Sequence, residues 1–183
     1  MIITYHGESF VKVQYGDLVV SLNSDGANQV RIGGRDPFII SGPGEYEVSN
    51  VFVSGFSTAG PHGKGNIIYS LSLEGLRLTH LGLMEESKIP EAIMSGIGEV
   101  DILLAPLDGA LSPAAAYRLA LTFSPKLILP LSAAASLTGQ FLKEAGLSDA
   151  KAGAEKAPPI DKLVIKKKDV LEKEGEVVVL RAV

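Results

Sequence analysis

Two short segments, each apolar at almost every position, constrain this chain most. Residues 100–106 read Val-Asp-Ile-Leu-Leu-Ala-Pro, and Leu127–Leu131 reads Leu-Ile-Leu-Pro-Leu. A strand with one face in water alternates apolar and polar residues, whereas a strand buried on both faces, as in a parallel sheet, is apolar throughout. Between the two segments, Ser112-Pro113 reads as a helix start, with serine as N-cap and proline in the first turn, and residues 114–123 are rich in alanine and leucine. The spacing predicts a parallel strand–helix–strand unit. Such a sheet must be covered on both faces, so the remaining residues have to supply at least one more layer.

The first half of the chain supplies strands. Ile2–Tyr5 and residues 10–14 and 18–21 are short apolar or β-branched runs separated by Gly7 and by Tyr15-Gly16-Asp17, which predicts a meander with tight turns. Residues 23–35, with three glycines among Asn and Asp, read as a loop. Residues 37–40 form another strand, broken by Gly42-Pro43-Gly44. Residues 46–56 alternate, with Asn50 disturbing the register. Residues 57–65 are a second loop around His62, and residues 67–73 and 76–81 form a hairpin across Glu74-Gly75.

Further on, residues 87–94 read as a short helix capped by Ser87, and residues 133–145 as a longer one, capped by Ser132 and stopped by Gly146. Residues 151–159 form a linker, and residues 161–168 and 176–181 alternate as a closing hairpin. No internal repeat and no second domain is visible. The order implies one α+β domain over residues 1–183, sheet packed on sheet with helices outside.

Composition narrows the function. There is no cysteine, which excludes disulfides, thiolate metal sites and cysteine nucleophiles, and there are only three histidines, His6, His62 and His80. None of them sits at a metal-ligand spacing such as H-x-H. The net charge of −4 gives no footprint for nucleic acid. No basic n-region opens the chain and no run of about 18 apolar residues occurs, so the expectation is a cytoplasmic protein with no membrane partner.

Three motifs reduce to simpler readings. Gly63-Lys64-Gly65 lacks the upstream glycine and following Ser or Thr of a phosphate loop and reads as a hairpin loop. Lys166-Lys167-Lys168 is offset by Asp161, Asp169, Glu172 and Glu174 and reads as a solvated strand end. Ser132 lacks the G-x-S-x-G elbow of a serine nucleophile.

Several stretches together resemble a known family. Residues 3–10 (Ile-Thr-Tyr-His-Gly-Glu-Ser-Phe), residues 36–48 with Gly42-Pro43-Gly44-Glu45-Tyr46-Glu47, residues 75–82 (Gly-Leu-Arg-Leu-Thr-His-Leu-Gly), residues 100–106 and residues 126–131 follow one another in the chain. They resemble, in that order, the metallo-β-lactamase superfamily, in particular its small Zn-dependent hydrolase-like branch related to the ascorbate-6-phosphate lactonases. The resemblance implies an αββα sandwich. A strand that usually precedes the metal motif is missing, because residues 17–21 run straight into the corresponding segment, so the resemblance implies a domain shortened in its N-terminal half.

That family holds one or two metal ions through H-x-H-x-D-H, a further histidine, a bridging aspartate and a last histidine, and uses them to generate hydroxide. Carried over residue by residue, the histidines of the first motif fall on Leu22, Ser24 and Ala27 and its aspartate on Gly26. The next histidine falls at Gly60, the bridging aspartate on Leu83 and the last histidine on Ser132. Leucine, alanine and glycine offer no donor to zinc. The resemblance thus implies a degenerate member without a metal cofactor, acting as a scaffold for an unknown ligand or protein partner or as a homo-oligomer. The alternative is a zinc-dependent hydrolase of lactones, phosphodiesters or related esters with a rebuilt site, for which Asp25, His62, His80 and Asp108 are the donors to consider.

Overall fold

A computed structural model describes residues 1–22, 28–147 and 157–183. Its strands are β1 (Ile2–Tyr5), β2 (Val11–Tyr15), β3 (Leu18–Leu22), β4 (Asn28–Ile32), β5 (Phe38–Ile40), β6 (Gly44–Val48), β7 (Val51–Ala59), β8 (Gly65–Leu73), β9 (Leu76–His80), β10 (Ile102–Pro106), β11 (Leu127–Leu131), β12 (Leu163–Val164) and β13 (Glu176–Val177). Its α-helices are α1 (Glu91–Ile97), α2 (Pro113–Leu121), α3 (Ala135–Glu144) and α4 (Lys167–Leu171).

The strands make two sheets. The first has the order β12-β1-β2-β3-β4-β5 and is antiparallel throughout. The second has the order β13-β11-β10-β9-β8-β7-β6. Its β9, β10, β11 and β13 run parallel, as the two apolar segments require, and β6 to β9 form an antiparallel meander. Between the sheets, Ile3, Tyr5, Val11, Val13, Val20 and Leu22 meet Val53, Leu71, Leu78, Leu104 and Leu129. On the outer side of the second sheet, Ile68, Leu103 and Ile128 lie beneath Leu119 of α2 and Phe141 and Leu142 of α3. Adjacent residues such as Leu103 and Leu104 therefore enter opposite cores, which is why β10 and β11 are apolar at every step. The short α4 sends Val170 into the core between the sheets. Among the described residues no helix covers the outer face of the first sheet, and none is long and apolar enough to cross a membrane. The result is the two-sheet α+β arrangement expected.

Several local expectations are corrected. The loop expected over residues 23–35 contains β4; only Asn28 and Val30 of that strand are buried, and the outward Gln29 and Arg31 obscured the period. Residues 46–56 are two strands, not one, because Ser49 and Asn50 both have positive φ (51° and 62°) and turn β6 back onto β7. The expected second loop is shorter than residues 57–65, because residues 57–59 extend β7 and Gly65 opens β8, with a 3₁₀ turn at Pro61–Gly63 between them. The helix placed at 87–94 starts at Glu91 with Pro90 as its N-cap, so Ser87 caps nothing. Ala134, not Ser132, is the N-cap of α3. The closing segments form no hairpin: β12 pairs with β1 in the first sheet and β13 with β11 in the second, and Lys167 and Lys168 belong to α4 rather than a strand end. Ser112 caps α2 as expected, accepting the Ala115 N–H at 3.3 Å.

Candidate functional site

The carboxyl ends of β9, β10 and β11 and the β7–β8 connection converge at one edge of the second sheet. In sheets with parallel strands this edge is where ligands are bound, because loops leave it in diverging directions. A cleft of about 260 Å³ opens there, lined by Pro61, His62, Lys64, Gly65, Asn66, Leu83 and Asp108. Its walls are polar or charged except at Pro61, Gly65 and Leu83.

Each lining residue has a local cause. The 3₁₀ turn projects His62, exposed and left-handed at φ 59°, and is closed by the Gly60 N–H donating to Lys64 O at 2.9 Å. Gly60 is packed so tightly that a Cβ there would stand 2.9 Å from Lys64 O and 3.1 Å from the Asn66 Cβ. Asn66 is buried; its Nδ2 donates to Thr58 Oγ1 and Leu81 O, both at 2.9 Å, and touches Met84 Sδ at 3.3 Å. These bonds lay the Asn66 amide over Gly82, whose positive φ and missing Cβ make room for it. On the other wall the Ser132 hydroxyl donates to Asp108 Oδ1 at 2.8 Å and accepts the Ala134 N–H at 3.0 Å, joining the ends of β10 and β11. Tyr5 also approaches from the first sheet: its hydroxyl donates to Glu8 O at 2.9 Å. Burial, then the Asp108 and Glu8 carboxylates, push the Tyr5 phenol well above its usual pKa, so it stays protonated.

The structure therefore brings His62, Leu83 and Asp108 to one cleft, with Gly60 behind its turn and Ser132 behind Asp108. It does not bring His80 there as a free group. His80 is buried, its Nε2–H donates to Ser9 O at 2.8 Å and its Nδ1 accepts the Gly82 N–H at 3.0 Å. Burial lowers its pKa to about 4, so the ring is neutral and ties β9 of the second sheet to the β1–β2 turn of the first. Leu22 is fully buried in the core between the sheets. Ser24, Asp25 and Ala27 lie outside the described residues. Sequence reading missed Asn66, Lys64 and Tyr5; an asparagine opening the apolar run of β8 was the available signal for the first.

A family model described as the Beta-lactamase superfamily domain matches residues 4–132, more than half of the chain. The chain belongs to the metallo-β-lactamase superfamily. Among solved structures, it is similar to a candidate Zn-dependent hydrolase of this superfamily from Thermotoga maritima, at 22% identity and TM-score 0.77 over 98% of each chain. At that identity the likeness speaks for the fold. Two weaker likenesses, each at 12% identity and TM-score 0.48, are to the metallo-β-lactamase fold protein YhfI of Bacillus subtilis (78% of this chain, 52% of that one) and to a candidate metal-dependent hydrolase of Parabacteroides distasonis (100% and 99%). No curated protein matches the chain significantly.

Membership raises the question of whether this site fits the superfamily's metal. A zinc ion needs three or four N, O or S donors converging at about 2.0–2.3 Å. Of the residues that line the cleft, His62 and Asp108 are candidate donors, whereas Lys64 brings a cation and Leu83 an apolar side chain. Among the described residues no three His, Cys, Asp or Glu side chains group in a way that could hold a metal ion. The described donor set does not fit zinc. Its polar lining consists instead of a lysine, a histidine, an aspartate and the buried Asn66.

Proposed function

We propose that this superfamily member binds a small polar ligand in the cleft at the ends of β9, β10 and β11 and does not hydrolyse through a metal. The observation that carries this reading is an open polar cleft whose described donors are too few for a metal ion. The sequence resemblance, which sets Gly60, Leu83 and Ser132 at ligand positions of the superfamily, supports it, and Gly60 has no room for a side chain. The Gly42-Pro43-Gly44-Glu45-Tyr46-Glu47 segment supports placing the chain near the ascorbate-6-phosphate lactonase-related branch.

Metal analysis of protein purified without added metal or chelator tests the reading. Substoichiometric zinc, manganese and iron is the expected result. One metal per chain, or metal-dependent turnover of a lactone, phosphodiester or thioester that disappears in both His62→Ala and Asp108→Ala, would overturn it in favour of a rebuilt hydrolase.

A further inference from the structure

The outer face of the first sheet, which no described helix covers, carries a second constellation that shares no residue with the cleft lining. Strand register aligns its side chains in two rungs. One runs Thr4, Lys12, Ser21, Gln29 across β1 to β4, and the next runs Ile2, Gln14, Val19, Arg31. Together with His6 they line a shallow concavity of about 460 Å³. Six of these residues are hydrogen-bonding or cationic side chains on the two rungs, and no Asp or Glu lines the space. A chain with net charge −4 thus presents a local field of the opposite sign.

The two cations are free to act together. Neither Lys12 nor Arg31 has an ion-pair partner among the described residues. With strands about 4.8 Å apart and rungs about 6.7 Å apart, their Cα atoms stand roughly 12 Å from each other. Each side chain reaches on the order of 6 Å, so both can close on one ligand above Ser21 and Val19. Thr4 Oγ1 hydrogen-bonds His6 Nε2 at 3.0 Å, and the Lys12 ammonium lies 5.2 Å from the Phe10 ring centre. Burial, then Lys12, lower the His6 pKa, so that ring is a neutral hydrogen-bonding group rather than a third charge. A second copy of the chain does not suit this face, because twofold pairing would bring together two cationic surfaces with no carboxylate between them.

We infer that this face is a binding site for a small molecule carrying two or more oxyanion groups, gripped between Lys12 and Arg31 and hydrogen-bonded by Thr4, Gln14, Ser21 and Gln29. Such chemistry comes from polycarboxylates or from phosphate esters, and the two are separated by titrating the full chain with citrate and with pyrophosphate, following backbone amide resonances at about 50 mM salt to limit screening. Saturable shifts at residues of β1 to β4 are expected with at least one of the two, and the responding anion identifies the source. The dissociation constant should rise tenfold or more in Lys12→Ala and in Arg31→Ala, and should stay within twofold of the parent in Lys64→Ala, which alters only the cleft. No saturable shift with either anion would overturn the inference. So would binding that is lost in Lys64→Ala but kept in the other two, which would place the anion in the cleft, or binding that weakens equally in all three, which would reduce it to general charge.

Discussion

The outer faces of the two sheets solve the same problem in opposite ways. The second sheet turns Ile68, Leu103 and Ile128 outward and must bury them under α2 and α3. The first turns Thr4, Lys12, Gln14, Gln29 and Arg31 outward, where they meet water. A sheet needs a helical layer only where its outward residues cannot be hydrated. The same difference locates the cleft: it lies at the edge of the sheet that is packed on both sides, where strand ends are held rigidly enough to place side chains.

Mutation in matched pairs breaks this comparison most directly. Leu103 is fully buried on the helical side of β10. Leu103→Ala should cost about 2–5 kcal/mol, through lost burial and a residual cavity. Gln29→Ala, on the bare face of β4, should change stability by less than about 0.5 kcal/mol. Urea unfolding of both variants checks this, and a Gln29→Ala cost comparable to that of Leu103→Ala would mean that the first sheet's face is covered after all.

The link between the sheets responds to acid. His80 ties the two layers as a neutral ring with a pKa of about 4, against about 6.5 unfolded. Between these values the unfolded chain binds the extra proton, so stability rises with pH. The contribution is fully present above about pH 6.5 and is lost as pH falls towards 4, amounting to about 3 kcal/mol. Unfolding free energies measured from pH 7 to pH 4 should show this decline. His80→Gln, less stable at pH 7, should have a flatter profile over the same range.

Legibility in the sequence followed the same division. Leu127–Leu131 was readable to the residue because burial on both faces leaves no ambiguity, and Ser112 because its cap is local. β4 was not, since a short strand with a hydrated face and a polar Asn28 as one of its two buried residues offers almost no apolar period. The partners of β12 and β13 depend on which sheet edge is vacant, which no local pattern encodes. At the site, sequence named His62, Leu83 and Asp108 by position. It could not foresee that His80 would have both nitrogens engaged, nor that Asn66 would form the cleft's inner wall, because both follow from contacts between strands distant in the chain.

Gly82 sharpens the comparison at the rim of the packed sheet. Its φ is +66°, and an added Cβ would collide with the Asn66 amide. Gly82→Ala should cost about 1–3 kcal/mol and displace the cleft wall. Gly16, also at positive φ but in the β2–β3 turn of the bare sheet, has nothing within 4 Å of a built Cβ. Gly16→Ala should cost only the backbone term, about 1 kcal/mol. Thermal unfolding of the two, with amide shifts at Asn66 as the local probe, separates collision from conformational strain.

The smallest effect is expected where the packed sheet itself meets solvent. The Ser132–Asp108 hydrogen bond lies on an exposed wall of the cleft, so its loss exchanges a protein partner for water. Ser132→Ala should therefore cost under about 1 kcal/mol, despite a short 2.8 Å contact to a carboxylate. Its consequence should lie in binding. With the hydroxyl gone, Asp108 loses a donor that fixes its rotamer, and the carboxylate wall of the cleft is no longer preorganised. Parallel measurements of unfolding and of ligand affinity for Ser132→Ala should thus diverge, stability nearly unchanged and affinity reduced. A variant that lost stability and affinity in proportion would show that this pair holds β10 to β11 as part of the frame, and that the cleft is only as rigid as the helices packed behind it.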